Sequence, residues 1–254
     1  KSFSYKSSDG TELWCNRWFP DEDQQIKGIV VLQHGLKEHS LRYDRIGTIL
    51  AENGYVVHGF DLRGHGRTAE INVMNNKSIW GKIADSNGDI VLINDLYDMI
   101  QELKKDFPDK KIYLLSHSFG SFITQRYLEL YGDNINGAIL LGTTGPNKPL
   151  VVSGKIFANI IKLFNGKNNT SKILDKVFFG SYNKRISNPK TEYDWLSKDD
   201  LIIQMYISDN WCGNLLTTSF FIDLLNLLLV THKSKNISKI PNDIPLFIGY
   251  GSED

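Results

Sequence analysis

The sequence predicts an α/β fold, a parallel sheet buried between layers of helices. Two observations predict it. Short continuous runs of β-branched and apolar residues alternate with longer stretches in which apolar residues recur every three or four positions. Continuous apolar strands separated by such helices belong to a parallel sheet covered on both faces. The composition is also globular, with 41% hydrophobic and 23% charged residues over 254 positions. That length fits one large domain or a domain carrying an insertion.

The elements follow in order. Ile29, Val30, Val31 and Leu32 form a buried strand that ends at His34-Gly35. Residues 41–53 carry Ile46, Ile49 and Leu50 and stop at Gly54, a helix with a glycine end signal. Residues 55–60 are the next strand. Residues 87–107 form a long amphipathic helix through Ile90, Ile93, Leu96, Ile100 and Leu103, broken by Pro108-Asp109. A strand over 111–115, a helix over 119–131 and a strand over 137–141 complete this part. From 145 to about 216 no strand pattern appears, and residues 152–164 place Ile156, Phe157, Ile160, Ile161 and Phe164 along one helical face. Residues 244–250 return to the sheet. The expected organisation is a core over 1–144, a helical insertion over 145–216, and a return to the core over 217–254.

Charge and composition exclude several classes. Lys and Arg number 29, as do Asp and Glu, so the net charge is zero. Such a balance argues against a general affinity for nucleic acid or strongly anionic surfaces. No apolar run approaches the roughly 20 residues of a membrane span; the richest, over 220–230, is interrupted by Asp223 and Asn226. Cys15 and Cys212 are too few for a disulfide scaffold and fit a reducing compartment, so a cytoplasmic location is expected. The sequence opens on Lys1 rather than methionine, which leaves a removed leader open.

The sharpest chemical feature is Tyr113-Leu114-Leu115-Ser116-His117-Ser118-Phe119-Gly120. An apolar strand runs into a small-x-Ser-x-Gly turn, and a helical pattern begins at once. A serine on such a turn is lifted above the sheet, and small residues two positions either side let strand and helix pass closely. Ser116 stands where the pattern usually has its first glycine. The alternative is a plain strand–turn–helix with an incidental serine. A second loop, His34-Gly35-Leu36, follows the first long buried strand at the matching position. A tetrahedral intermediate needs two donors, and the N–H groups of Leu36 and Phe119 would supply one from each loop. Competing chemistries lack their residues. An aspartate nucleophile would need Asp at position 118, the six histidines form no HxxxH pair, and Gly64-His65-Gly66 lacks the third glycine of a dinucleotide loop.

The segment from His34 to Tyr43 resembles the HGxGEHxxRY motif of the monoacylglycerol lipase and lysophospholipase group of α/β-hydrolases. Asp61-Leu62-Arg63-Gly64-His65-Gly66-Arg67-Thr68 is similar to that group's D-x-R-G-H-G-x-S loop. Residues 191–200 resemble a cap segment of its bacterial members, and Asn210-Trp211-Cys212-Gly213 sits where the group has a cysteine near the cap. The departures are Lys37 and Leu41 for glycines, Ser116 for glycine, and Thr68 for serine.

The resemblance implies an α/β-hydrolase fold with a helical cap and a Ser, Asp, His order along the chain. Ser118 is then the nucleophile. The acid lies in a G-x-x-D turn after a late strand, which puts it at Asp254 in Gly251-Ser252-Glu253-Asp254. No histidine follows Asp254, so the general base is expected in a segment past that residue. The group's role for His34, His39 and His65 is to fix loops. The implied substrate is a small lipid ester with one long acyl chain, a monoacylglycerol or lysophospholipid, with no cofactor or metal. Phe157, Ile160, Ile161 and Phe164 would line an acyl tunnel or simply pack the cap. An apolar cap edge would rest on a membrane surface, weakly in view of the neutral charge. Two other readings stay open: a serine aminopeptidase of the proline iminopeptidase kind, and a ligand-binding module on an inactive hydrolase.

Overall fold

In the computed structural model, which describes residues 1–252, one sheet contains β1 (Ser2–Lys6), β2 (Glu12–Trp18), β3 (Gly28–Gln33), β4 (Tyr55–Phe60), β5 (Ile112–His117), β6 (Ala138–Leu141) and β7 (Leu246–Gly249). Their spatial order is β1-β2-β4-β3-β5-β6-β7. β1 and β2 pair antiparallel, as do β2 and β4, and every later pairing is parallel. The helices are α1 (Asp44–Glu52), α2 (Gly66–Met74), α3 (Gly88–Asp106), α4 (Phe119–Tyr131), α5 (Lys148–Asn165), α6 (Lys172–Phe179), α7 (Asp200–Ser208), α8 (Thr218–Thr231) and the short α9 (Ser234–Ile237).

Continuous apolar runs make the central strands because both faces are buried. On β3, Ile29 and Val31 enter one core while Val30 and Leu32 enter the other, and Val56 and Val57 of β4 divide in the same way. The larger core collects Leu92, Leu96 and Ile100 of α3, Ile123 and Tyr127 of α4, and Phe220, Phe221 and Leu224 of α8. The smaller core takes Leu50 of α1 with Trp18 and Tyr43.

The structure adds elements that the apolar runs did not announce. The β1–β2 hairpin is half-buried and signals itself only by alternation, through Phe3, Tyr5, Leu13 and Cys15, around a turn in which Gly10 takes φ 86°. The helix expected over 41–53 begins as a 3₁₀ turn, Ser40–Tyr43, before α1. α2 begins inside the expected D-x-R-G-H-G-x-S loop, at Gly66, and runs on past its end to Met74. The last strand shortens to Leu246–Gly249 and sits at the sheet edge, with Phe247 and Ile248 exposed on its two faces.

Between β6 and α8 the described residues form helices and 3₁₀ turns, with one isolated bridge between Thr170 and Thr217. α5 packs on α8 through Val151, Gly154, Ala158 and Ile161, spaced three to four apart. Leu225 of α8 would sit 3.4 Å from a Cβ on Gly154, so small residues set this approach. The apolar face expected on this helix is therefore split. Ile161 turns inward, while Ile156, Phe157, Ile160 and Phe164 turn outward.

Candidate active site

β5 ends at His117 and α4 begins at Phe119, so Ser118 alone makes the turn. Its backbone is held at φ 48° and ψ −117°, where an L-residue is strained. The Ser118 N–H donates to the Leu141 carbonyl on β6 at 2.9 Å, and the Ser118 carbonyl accepts from the Ser121 N–H at 2.9 Å. A Cβ on Gly120 would lie 2.4 Å from the Gln33 carbonyl oxygen, so α4 leaves the sheet in contact with the β3 backbone. Ser116 does fit the place of a glycine. It is buried, and its hydroxyl hydrogen-bonds Thr124 Oγ1 on α4 at 2.6 Å.

The loop after β3 lies directly against this turn. A Cβ on Gly35 would fall 3.3 Å from Ser118 Cβ and 2.7 Å from Glu38 Oε1. Positions 35–36 and 118–119 are thus neighbours. Among the described residues, the N–H groups of Leu36 and Phe119 donate to nothing. For Phe119 this follows from its place in the first turn of α4, where N–H groups have no partner within the helix.

Buried polar side chains hold the loop. Glu38 accepts from the Gly35 N–H at 2.6 Å and the Tyr43 hydroxyl at 2.7 Å, and it pairs with Arg42 and His117. Burial pushes this carboxyl up, but the hydrogen bond from His117 and the charge of Arg42 outweigh it and hold it well below the usual carboxylate range. Asp61 Oδ1 accepts from the Ser40 N–H at 2.9 Å and hydroxyl at 2.6 Å, and its Oδ2 from the Arg67 N–H at 2.8 Å. Arg63 grips Asp95 of α3 with two bonds of 2.7 Å and reaches Asp9 at the hairpin turn at 2.6 Å. Thr68 accepts from the Trp14 N–H at 2.8 Å through the hydroxyl a serine would offer. Lys37 takes φ 59°, a conformation glycine adopts freely, and its ammonium is tied to Asp175 of α6 at 2.8 Å.

The segment between β6 and α8 also fastens this loop. His39 Nε2 hydrogen-bonds Asp209 at 2.7 Å, and Lys37 O accepts from the Tyr206 hydroxyl at 2.8 Å and the Gly213 N–H at 2.9 Å. His39, Asp209 and Cys212 come within 4.8 Å of one another, a grouping invisible to linear spacing.

The histidines have other work than Ser118. His34 donates from Nδ1 to the Gly35 carbonyl at 2.7 Å and accepts from the Leu62 N–H at 2.9 Å. Burial, reinforced by His65, lowers its pKa to about 3. His65 bonds the Arg63 carbonyl at 3.1 Å, stacks on Phe119, and is lowered by burial to about 4. His58 lies inside the sheet against Arg17, and His232 meets Gln125 at 3.1 Å. His117 turns toward Glu38. Among the described residues none bonds the Ser118 hydroxyl. Asp254, the expected acid, lies outside the described residues, as does Glu253.

Of the four side chains expected to line an acyl path, Ile161 packs on the core. Ile160 borders an open groove with Ile156 and Leu163. Phe157 is 37% exposed and Phe164 87%. Linear reading missed Glu38, Asp61 and Lys37 as fasteners of the loop. Their signal is a set of charged residues placed among the glycines and histidines of two motifs.

A family model described as "Serine aminopeptidase, S33" matches residues 24–254. Human monoglyceride lipase is 25% identical over 249 residues, covering 98% of this chain and 71% of that protein. The rat (Rattus norvegicus) monoglyceride lipase is 25% identical over 197 residues, covering 77% of this chain. The chain spans only 58% of the rat relative's length and 63% of the mouse relative's. Among solved structures, a carboxyl esterase from Bacillus coagulans superimposes with a TM-score of 0.83 at 24% identity, over 97% of this chain and 77% of that one. A soluble variant of monoglyceride lipase from Saccharomyces cerevisiae gives 0.71 at 20% identity, over 100% and 77%. The architecture is the α/β-hydrolase fold.

Proposed function

Since the chain belongs to the serine aminopeptidase (S33) family, we propose that it is a serine hydrolase of carboxylic esters bearing a single long acyl chain, monoacylglycerols or lysophospholipids, acting through an acyl-enzyme on Ser118. The observation that carries the reading is Ser118 alone on its strained turn, with the Gly35-Leu36 loop against it and two undonated N–H groups beside it. Monoglyceride lipases among its relatives support the substrate class.

In this reading the Ser118 hydroxyl attacks the ester carbonyl while a general base takes its proton. The N–H groups of Leu36 and Phe119 donate hydrogen bonds to the developing oxyanion, each worth roughly 3–4 kcal/mol of transition-state stabilisation. The alcohol leaves with the proton, and water then releases the fatty acid. Asp254 would orient the base, a histidine that the resemblance places later in the chain. The helices between β6 and α8 would form the cap and would bring the protein to a membrane surface.

The test uses the full-length polypeptide. A fluorophosphonate should label it at Ser118 and leave Ser118→Ala unlabelled. Long-chain p-nitrophenyl esters and monoacylglycerols should turn over faster than aminoacyl anilides. Faster anilide cleavage would favour the aminopeptidase reading suggested by the family's description. No labelling at all would favour a ligand-binding homologue.

A further inference from the structure

Asp209 and Cys212 form a chelating turn. The Cys212 N–H donates to the Asp209 carbonyl at 3.0 Å, which closes the turn, and the Cys212 thiol reaches back to the Asp209 carboxylate. Two ligands separated by two residues are how many zinc sites begin, and further ligands then come from a distant part of the chain. Here the distant group is His39, on the loop after β3, whose Nε2 lies 2.7 Å from Asp209 Oδ2. One ligand atom each from His39, Asp209 and Cys212 falls within 4.8 Å of the others. The expectation of no metal rested on spacing along the chain, and His39 and Asp209 are 170 residues apart.

The surroundings suit an ion. An imidazole nitrogen, a thiolate sulfur and a carboxylate oxygen are the donor types zinc takes, at about 2.0–2.3 Å. Around a tetrahedral ion such bonds set the donors about 3.3–3.8 Å apart. His39 and Asp209 therefore need to part by only about 1 Å. The other carboxylate oxygen, Oδ1, accepts from the Trp211 N–H at 2.8 Å, which fixes the carboxylate and leaves Oδ2 aimed at His39, as the outer partners of a ligand do. The Trp211 ring also meets His39 edge-on, centroids 5.4 Å apart. The His39 side chain is 4% exposed and that of Asp209 28%, so the open side of the group is the carboxylate's. Arg42, the cation that acts on Cys212, is already paired with Glu38 and lies over the Tyr206 ring, which offsets its charge.

We propose that His39, Asp209 and Cys212 bind one divalent cation of the zinc class, with water in the fourth position. Cys212 gives its thiol proton to solvent and coordinates as thiolate. His39 coordinates through Nε2 as the neutral imidazole, its proton on Nδ1, and Asp209 coordinates through Oδ2. The thiolate and the carboxylate together balance the charge of the ion. Hard cations such as magnesium and calcium prefer oxygen donors throughout and gain little from this set. The ion would replace a hydrogen bond by three coordinate bonds between the loop after β3 and the chain after α7, and so hold the two together more tightly. None of these bonds uses Ser118 or the N–H groups of Leu36 and Phe119, so the site stands apart from the ester reading.

The test uses the untagged full-length protein, reduced with a non-chelating phosphine. Titration with cadmium(II) should raise a thiolate-to-metal charge-transfer band that saturates at one equivalent, and cobalt(II) should give the visible bands of a tetrahedral centre. Zinc should displace both, magnesium and calcium neither. Zinc at about 100-fold its Kd should raise Tm by about 5–10 °C. Cys212→Ser should abolish the charge-transfer band. Asp209→Asn and His39→Gln should each weaken binding by more than the roughly 10–100-fold that loss of an outer partner costs. Cys15→Ala, which removes the buried thiol of β2, should bind as wild type does. Circular dichroism checks that each variant is folded.

No uptake at one equivalent, a charge-transfer band that survives Cys212→Ser, or undiminished affinity in either Asp209→Asn or His39→Gln would overturn the proposal. Should a variant fail to fold, X-ray absorption on zinc-loaded wild type decides. One sulfur among nitrogen and oxygen donors is expected, and a shell without sulfur would refute the site. Hydrolysis and Ser118 labelling are read separately. Metal uptake without labelling would keep the site and remove the enzymatic reading; labelling without uptake would do the reverse.

Discussion

Replacing Ser118 by glycine should abolish labelling by a fluorophosphonate and yet stabilise the fold relative to Ser118→Ala. The reasoning starts from the backbone. At φ 48° and ψ −117° a residue with a Cβ bears about 1–3 kcal/mol of strain. Alanine keeps the Cβ and keeps the strain, while glycine sheds it. Glycine gives back about 0.5–1 kcal/mol because its unfolded chain is freer. The net expectation is about 1 kcal/mol in favour of Ser118→Gly, with either variant inactive. For a chain of this size that corresponds to a Tm about 2–4 °C higher. No hydrogen bond of the serine hydroxyl is forfeited among the described residues, so the comparison isolates the backbone. Chemical denaturation and thermal melting of the two variants provide the measurement. A Ser118→Gly protein no more stable than Ser118→Ala would mean that the turn stores no strain, and the account of how the nucleophile is presented would fail.

Three further outcomes follow from contacts around the site. Gly120→Ala puts a methyl group 2.4 Å from a carbonyl oxygen of β3; because backbone cannot step aside, a loss of about 3 kcal/mol or more is expected by urea denaturation, and a loss under about 1 kcal/mol would contradict the close approach. Arg63→Met strands the buried carboxylate of Asp95 and should cost about 3–5 kcal/mol by the same measurement, whereas a stable variant would show that the pair adds little. His58 is lowered by burial, and then by Arg17, to about 3, while a histidine of the unfolded chain titrates near 6.5. The unfolded state takes the proton first, so the stability His58 confers is complete above about pH 6.5 and lost as pH falls toward about 3. Against His58→Gln, whose oxygen can still accept from Arg17, wild type should lose about 1.4 kcal/mol per pH unit between about pH 5 and pH 4. Parallel stability curves would refute a neutral buried imidazole.

The parts legible in the sequence were those whose signal is local. β3, β4 and β5 announce themselves because a strand packed on both faces is apolar at most positions, and the turn at Ser118 because only small residues fit two positions either side of it. β1 and β2 gave a weaker sign, since a half-buried edge hairpin needs only alternation, as Phe3 and Tyr5 do between exposed neighbours. The facing of α5 is not legible in the sequence, for a physical reason. Large apolar residues recur all along the helix, but it approaches α8 closely at small ones, Gly154 and Ala158, and carries Ile156, Phe157, Ile160 and Phe164 outward. The loop fasteners were beyond reach altogether. His39 and Asp209 are 170 residues apart, and Lys37 and Asp175 are 138 apart, distances at which no periodicity relates one residue to the other.

Those long-range ties change what the segment between β6 and α8 is for. A segment that only covered a pocket would touch the core through apolar surface and could move without consequence. This one holds the loop bearing Leu36 by its own polar groups: Asp175 on Lys37, Asp209 on His39, and the Tyr206 hydroxyl and Gly213 N–H on the Lys37 carbonyl. The Lys37 carbonyl lies one residue beyond the Leu36 N–H, and Lys37 sits in a left-handed conformation that nothing in its own covalent geometry favours. The position of one proposed oxyanion donor therefore depends on residues of α6, of α7 and of the chain just after α7. The segment between β6 and α8 thus takes part in setting the geometry beside Ser118. Its attachment to the loop then matters as much as the shape of any tunnel through it.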